Sequence, residues 1–519
     1  MIKKIFEKNY LTVLLLICFS IVFNTFYASK GVFPIDTFYH YDTGFRVLNN
    51  ELPIRDYWVT SGILVDLIEA FFFKIFGVSW LSHVLHASII NALIVVFTFF
   101  VLKKFNLNSF YSFCYSLLFG MLAYPPSGTP FVDHHAIFLL LGGTYIFLLG
   151  IKTEKYIYWL VLPWFFGASF LCKQVPAAYM LIFTSFFFII YTIIKKDFVP
   201  VLISFFSATF FILIIFIIGG FLKINYIDFF IQYILYPPSI GSQRVEDFNI
   251  NWNNFFNHYK FIIIPFILAI GLNYKEIIKK KIDRNDLFLT SVVFIFLLSS
   301  VFHQVLTKNQ IFINFLSPLV FAYLTIVLQK KKYKNKEIIL PLFLIVTILI
   351  TMKYHYRFNE KRKFHELYSV SLKNALPGQS IHPQLSGLQW ITHQYKSDPK
   401  KEIEMIKLFL KVISEDKREK MVITHYLFIN ALINESLNLP SRSFTMDGAS
   451  FPIKGNKYFA NYKKFFNNKI KNKKIEVIYI FGKELGDETV TNYLRKECNR
   501  YSKQEKYFRI YEIEKNCFK

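Results

Sequence analysis

Three charged side chains of this sequence stand beside long apolar runs, where they could carry chemistry. Asp36 follows the first run by about nine residues, Asp133 comes as the fourth run begins, and Lys173 separates the fifth run from the sixth. A carboxylate can take a proton from a reacting hydroxyl group, and a lysine ammonium group can stabilise negative charge. Charges at the ends of membrane spans face protein or water rather than lipid. These positions therefore predict a site at a membrane surface.

The stretch 31–77 concentrates acidic, basic and aromatic side chains between the first two apolar runs. Residues 37–50 are predicted to form a short helix, because apolar side chains recur there at the spacing of one helical face. Residues 62–77 predict a second helix that is apolar all round except on one side. The charged residues on that side are Asp66, Glu69 and Lys74. Such helices lie along the membrane interface.

The composition gives far more apolar surface than one soluble core needs. Of 519 residues 54% are hydrophobic, with 62 Phe and 32 Tyr. This predicts a polytopic α-helical membrane protein, because eleven apolar runs approach the roughly 20 residues that cross a bilayer. The predicted spans are 10–27, 80–102, 110–125, 132–150, 156–172, 175–194, 199–221, 256–273, 286–303, 309–328 and 338–352. The first span is predicted to be a retained anchor, since no small-residue cleavage site follows it.

Basic residues set the predicted orientation. Nineteen lysines and arginines fall in the shorter set of alternate connections, and nine fall in the longer set. Positively charged short loops stay in the cytoplasm. The N-terminus is therefore predicted to be cytoplasmic, and the first loop and the C-terminal tail exterior.

Domain organisation follows from the last span. A membrane domain is predicted over 1–352, with a first exterior loop at 28–79, followed by a soluble exterior, or periplasmic, domain at 353–519. In this tail, 401–414 has helical periodicity, and 421–425, 475–481 and 508–513 are typical of strands. A small α/β domain is predicted. Another exterior segment, 223–260, is predicted to carry an interfacial helix at 226–235.

Cysteines and net charge exclude some functions. Cys498 and Cys517 are the only pair in the exterior tail, where oxidising conditions would permit a disulfide. The cysteine spacings match no zinc site; no cofactor is indicated, and a divalent metal stays open. The formal net charge is +25. Cytoplasmic loops and a Lys-rich tail account for much of it, and no nucleic-acid motif accompanies it, so no nucleic-acid partner is predicted.

The stretch from Asp36 to Trp58, D-T-F-Y-H-Y-D-T-G-F-R-V-L-N-N-E-L-P-I-R-D-Y-W, resembles the first exterior loop of GT-C membrane glycosyltransferases. Among these enzymes, the resemblance is to the group that includes the protein O-mannosyltransferases and the aminoarabinose transferase of lipid A. Their glycine, proline, aspartate and aromatic pattern is matched by Gly44, Pro53, Asp56 and Trp58. Asp133 resembles the acidic residue of their second exterior loop. Lys173, before Gln-Val-Pro, resembles their lysine–glycine–proline element.

This resemblance implies an enzyme of the cell (inner) membrane that uses a polyprenyl-phosphate sugar as donor. It would transfer the sugar, on the exterior face, to a hydroxyl group of a lipid, glycan or protein acceptor. Asp36 would be the catalytic base, and Asp133 would hold the acceptor or orient Asp36. Lys173, Arg244 and Lys308 would bind the donor phosphate. Asp56, Tyr57 and His134 would contact the acceptor or line the site.

Simpler roles stay open for these residues. Asp36 and Asp133 could cap helices, since aspartate is a preferred N-cap residue. Lys173 could be a lysine that extends its ammonium group from a helix end to the interface. Arg244, Lys308 and His134 could be ordinary surface or structural residues. For the whole protein, the alternatives are a transporter or flippase of lipid-linked sugars, or an oligosaccharide ligase or polymerase.

Overall fold

The computed structural model describes residues 9–240, 252–278, 284–307, 312–331, 335–445, 447–482, 484–514 and 517. Contacts within the chain divide it into two compact units. The first, here called the helical unit, comprises Met1–Ala28, Ala87–Ile215 and Phe248–Phe364. The second, the mixed unit, comprises Ser29–His86, Phe216–Asp247 and His365–Lys519. Here the predicted first loop, from Ser29 onward, belongs to the same unit as the tail. The domain division predicted at residue 352 stays a prediction.

Eleven apolar helices form a large part of the described residues. They are α1 Asn9–Ala28, α4 Trp80–Lys104, α5 Ser109–Leu122, α6 Val132–Thr153, α7 Tyr156–Cys172, α8 Gln174–Lys195, α9 Val199–Phe221, α11 Trp252–Ile278, α12 Arg284–Thr307, α13 Leu316–Lys330 and α14 Lys336–His355. Within the described ranges, nine helical segments are long and apolar enough to cross a membrane, and α5 and α7 are shorter apolar helices. The predicted helical class is confirmed, and each of the eleven predicted spans overlaps one of these helices. The number of segments that span a membrane stays a prediction.

Helix α6 lies at the centre of the helical unit, where nearly all of its residues from Val132 to Ile151 are buried. Its glycines permit close packing against α7: a Cβ at Gly142 would lie 2.5 Å from the Phe165 ring, and one at Gly150 would lie 2.8 Å from Trp159. Small residues at helix contacts are what apolar packing within a bilayer favours. The core therefore fixes where α6 begins, and with it the position of Asp133.

Two helices of the first loop open the mixed unit, α2 Pro34–Leu48 and α3 Ile63–Phe76. Both were predicted as helices, but α2 begins three residues before the predicted start at 37 because Pro34 occupies its first turn, where a missing amide is harmless. A short helix, α10 Tyr226–Phe229, continues as a π-helix at Phe230–Leu235, which confirms the predicted helix at 226–235.

The C-terminal part of the mixed unit contains a small sheet. Its helices are α15 Pro399–Glu415, α16 Ile429–Ile433, α17 Phe459–Lys473 and α18 Glu488–Thr491, and its strands are β1 Leu376–Pro377, β2 Gln389–Trp390, β3 Lys420–Thr424, β4 Val477–Phe481, β5 Asn499–Gln504 and β6 Phe508–Ile513. In the described residues four strands pair in the order β3-β4-β6-β5, with β3 and β4 parallel and the other pairs antiparallel. Cys498 and Cys517 form the disulfide that the sequence left open.

Candidate functional site

Asp133 and Lys173 meet in the helical unit. Lys173 Nζ donates a hydrogen bond to Asp133 Oδ1 at 2.6 Å, and His303 Nε2 lies 3.1 Å from the same oxygen. The side chains of Asp133 and His303 are buried, whereas Lys173 keeps 19% of its side chain exposed. Two residues predicted independently from two loops are therefore brought together. These three residues are called the Asp133 cluster below.

Helix ends position the Asp133 cluster. Asp133 stands in the first turn of α6, whose N-cap is Phe131, so Asp133 is not the N-cap residue. Lys173 has extended backbone angles between the end of α7 and the start of α8. His303 lies one turn before the end of α12, where its carbonyl accepts a hydrogen bond from the Thr307 hydroxyl. A carboxylate, an ammonium group and an imidazole thus converge where four helices begin or end.

His134 is buried beside Asp133 but lies in an aromatic environment. Its ring packs 5.2 Å from that of Tyr124, 5.7 Å from Phe131 and 5.8 Å from Phe138, measured between centroids. Neither ring nitrogen has a hydrogen-bond partner within the part of the chain that the structure describes. This aromatic packing gives His134 a structural role. Its predicted place beside the acceptor stays a prediction.

Asp36 is half-buried in the first turn of α2. The N-cap of that helix is Phe33, whose amide donates to Thr37 Oγ1 at 3.0 Å. Asp36 is therefore not the N-cap residue, although a negative charge in the first turn still stabilises a helix. It belongs to the mixed unit and Asp133 to the helical unit. Their predicted cooperation stays a prediction.

Asp56 and Tyr57 hold the first loop together. Asp56 Oδ2 accepts hydrogen bonds of 2.8 Å from the Leu52 amide and from Arg55 Nε. Tyr57 is fully buried, and its hydroxyl donates to Asp66 Oδ2 at 3.1 Å. These contacts give both residues a structural function, and a role beside an acceptor stays a prediction. Arg244 and Lys308 lie outside the described residues.

A second charged cluster centres on Asp66, which sequence reasoning placed only on the polar side of α3. Asp66 Oδ1 lies 2.8 Å from His40 Nδ1 and accepts from Thr43 Oγ1 at 2.6 Å, and Asp66 Oδ2 accepts from Arg442 Nη2. The Asp66, His40 and Arg442 side chains are all buried. Lys74, predicted on the same side, is exposed. The α3 carboxylates therefore face protein.

Glu69, one turn after Asp66, joins two histidines. Its carboxylate oxygens lie 2.7 Å from His83 Nδ1 and 2.5 Å from His86 Nδ1. His83 Nε2 lies 2.8 Å from the Thr37 carbonyl, which can only accept, so that nitrogen carries a proton. Gly44 makes room for this arrangement, since a Cβ there would lie 2.3 Å from Glu69 Cγ.

Charge and burial set the protonation of these groups. Burial alone raises the pKa of Asp66, but the Arg442 guanidinium and the His40 hydrogen bond overcome it and hold that pKa below its ordinary value. The pKa of Glu69 is lowered in the same way by His83 and His86, against the effect of burial. Burial lowers the pKa of His40 to about 4, although Asp66 opposes the shift. Asp66 and Glu69 are therefore carboxylates at neutral pH, and His40 is neutral.

His303 and Arg442 are two partners of buried carboxylates that the sequence analysis missed. His303 carried a signal, because an imidazole at the end of an apolar span is costly unless it has a polar partner. Arg442 carried none, since it pairs with a carboxylate 376 residues earlier. Over the described ranges, no group of three or more His, Cys, Asp or Glu side chains is placed to hold a metal ion.

Comparison with known proteins finds no match: neither a protein-family model nor a curated protein matches this chain.

Proposed function

We propose that this protein transfers a sugar from a polyprenyl-phosphate donor to an acceptor hydroxyl group at the exterior face of the cell (inner) membrane. The observation that supports it best is the Asp133 cluster, in which a buried carboxylate contacts an ammonium group and an imidazole. The eleven apolar helices act as spans in this proposal, and the N-terminus is cytoplasmic.

The chemistry needs a base and a cation. Attack on the anomeric carbon forms a bond to the acceptor oxygen and breaks the bond to the phosphate, while the acceptor proton passes to a base. Phosphate is a good leaving group, so a nearby cation can replace a general acid. Asp36 is the proposed base. Lys173, held by Asp133, is the proposed cation, and Asp133 fixes where its ammonium group lies.

The place of these charges favours an enzyme over a transporter. Transporters place ionisable groups near the middle of the membrane, where the substrate crosses. In the helical unit, Asp133 lies in the first turn of α6, and Lys173 directly follows the last residue of α7. His303 lies one turn before the end of α12. A reaction at the membrane surface needs charged groups at the ends of membrane spans.

A reconstituted assay tests the proposal. The purified full chain in vesicles is incubated with candidate polyprenyl-phosphate sugars, and release of polyprenyl phosphate is measured. Lys173→Ala is expected to weaken donor binding and to slow release. Lys195→Ala is the matched control, because Lys195 ends the same helix α8 and pairs with Glu154 after α6. Release at the wild-type rate by Lys173→Ala, or no release from any donor tried together with movement of intact donor across the vesicle, would refute the proposal.

A further inference from the structure

A second polar feature of the helical unit lies apart from the ion pair of Asp133 and Lys173. It is a cavity of about 350 Å³ formed by the ends of α11, α12 and α14 and by residues that follow them. Its basic residues are Lys260, Lys353, Arg357 and Lys363. It is called the basic pocket below.

No described acidic residue compensates the charge of the basic pocket. No Asp or Glu lines it, and none of the four cations forms an ion pair with a residue that the structure describes. Lys260 Nζ and Lys353 Nζ, from two different helices, lie 5.5 Å and 5.1 Å from the centroid of the same Phe261 ring. Like charges gathered in this way repel one another, so the arrangement is stabilised when an anion enters.

Neutral groups of the pocket complete a surface suited to oxygen-rich anions. Asn257, Asn314, Gln304 and Tyr259 also line the pocket, and each has a polar side chain. The helix that carries Lys353 changes to a π-helix at Tyr356–Glu360, where it presents Arg357. Such π-helical turns are frequent at functional sites because they redirect side chains out of the regular helical spacing.

The basic pocket adjoins the Asp133 cluster through its own lining. Gln304 follows His303 in α12, and Gln304 Oε1 accepts a hydrogen bond from the Ile313 amide at 3.3 Å. Phe312 and Phe358 of the lining pack on each other at 4.6 Å, and Phe312 also packs at 4.9 Å on Phe364, which contacts Phe131 before α6. Through these contacts the lining of the pocket is connected to the helix ends that carry Asp133 and His303.

We propose that the basic pocket is a binding site for a phosphate ester or diphosphate ester, with Arg357 and the three lysines as its anion-binding groups. Arg357 can hold two phosphate oxygens at once, and the lysines add point charges. The phosphate could belong to a lipid headgroup or to a soluble molecule, since both present the same oxygens. This proposal does not depend on sugar transfer.

A binding measurement tests it without any activity assay. Inorganic pyrophosphate is titrated into the purified full chain in detergent, and thermal unfolding is followed against sodium chloride of equal ionic strength. In a parallel arm, the protein is placed in lipid nanodiscs that contain polyprenyl phosphate or the uncharged polyprenol. Stabilisation by pyrophosphate supports a soluble ligand, and stabilisation by polyprenyl phosphate alone supports a lipid headgroup.

Substitutions in the basic pocket test whether the phosphate binds there. Arg357→Gln and Lys363→Gln are each expected to weaken binding about tenfold, since a hydrogen bond to a charged group is worth that factor or more. Lys363 is exposed, so its substitution leaves packing intact. Lys336→Gln is the control, because Lys336 is an exposed lysine at the opposite end of α14. The proposal is overturned if neither phosphate stabilises the protein beyond its control, or if all three variants bind equally.

Discussion

The Lys173 ammonium group lies 2.6 Å from Asp133 Oδ1, so one ion pair connects the start of α6 to the connection between α7 and α8. Helices α6 and α8 are also joined at their other ends, by the exposed pair of Lys195 and Glu154 at 2.9 Å. The two pairs share the same helices but differ in burial. This contrast allows the contribution of burial to be measured.

Asp133→Asn, Lys173→Met and the double variant form one double-mutant cycle, and Glu154→Gln and Lys195→Met form the other. We expect a coupling energy of about 1–3 kcal/mol for the buried pair and below about 0.5 kcal/mol for the exposed one. Thermal unfolding in detergent gives both values. Equal coupling in the two cycles would show that Asp133 does not hold Lys173.

Arg442→Gln should destabilise the mixed unit by about 3–5 kcal/mol, because it leaves the buried Asp66 carboxylate without its cation. Arg55→Gln, which removes a partner from the more exposed pair of Arg55 with Asp56, should cost below about 1 kcal/mol. Unfolding can be followed by limited proteolysis of the C-terminal part. Similar protease resistance of the two variants would contradict the importance given to Arg442.

Gly44→Ala should destabilise α2 and α3 by about 1–3 kcal/mol, because the new methyl group would overlap Glu69. Glu69 cannot move away freely, since it is bonded to His83 and His86. Gly271→Ala in α11 is the control: no atom of the described residues lies within 4 Å of its added Cβ, and alanine favours a helix. A stable Gly44→Ala protein would mean that α2 and α3 can move apart.

The sequence predicted the helices well because apolar runs and helical periodicity are local. It missed β5, Asn499–Gln504, because this strand has no alternating apolar residues and lies at the edge of the sheet. It assigned Asp133 and Lys173 to one predicted site but did not predict the ion pair between them. The partner of Asp66 could not be predicted, since Arg442 is 376 residues away and no local pattern couples their positions.

Acid should destabilise the mixed unit through His40. The pKa of His40 is lowered to about 4 by burial, from an ordinary value of 6.5, so the unfolded chain binds a proton that the folded chain does not. This contribution to stability is complete above pH 6.5 and is lost as the pH falls through that value toward about 4. The lowered pKa of Asp66 adds a loss only below its ordinary value of 3.8. We expect His40→Gln to flatten the unfolding temperature between pH 6.5 and pH 4 relative to wild type; an unchanged slope would contradict a neutral His40.

Asp36→Asn tests the proposed base. Asp36 lies in the first turn of α2 rather than at its N-cap, so losing the charge should cost about 0.3–1 kcal/mol of helix stability and leave the fold intact. Loss of a general base should instead lower sugar transfer by about 10²–10⁴-fold. Asp286→Asn is the matched control, because Asp286 is a partly exposed aspartate in the first turn of α12. Both substitutions remove a negative charge from the first turn of a helix, and Asp286→Asn also removes an ion pair with Lys330. Only Asp36 is proposed to take the acceptor proton. A large loss of transfer by Asp36→Asn, with both proteins equally abundant and equally stable, would therefore separate catalysis from helix stabilisation, whereas near-normal transfer would leave Asp36 with the structural role alone.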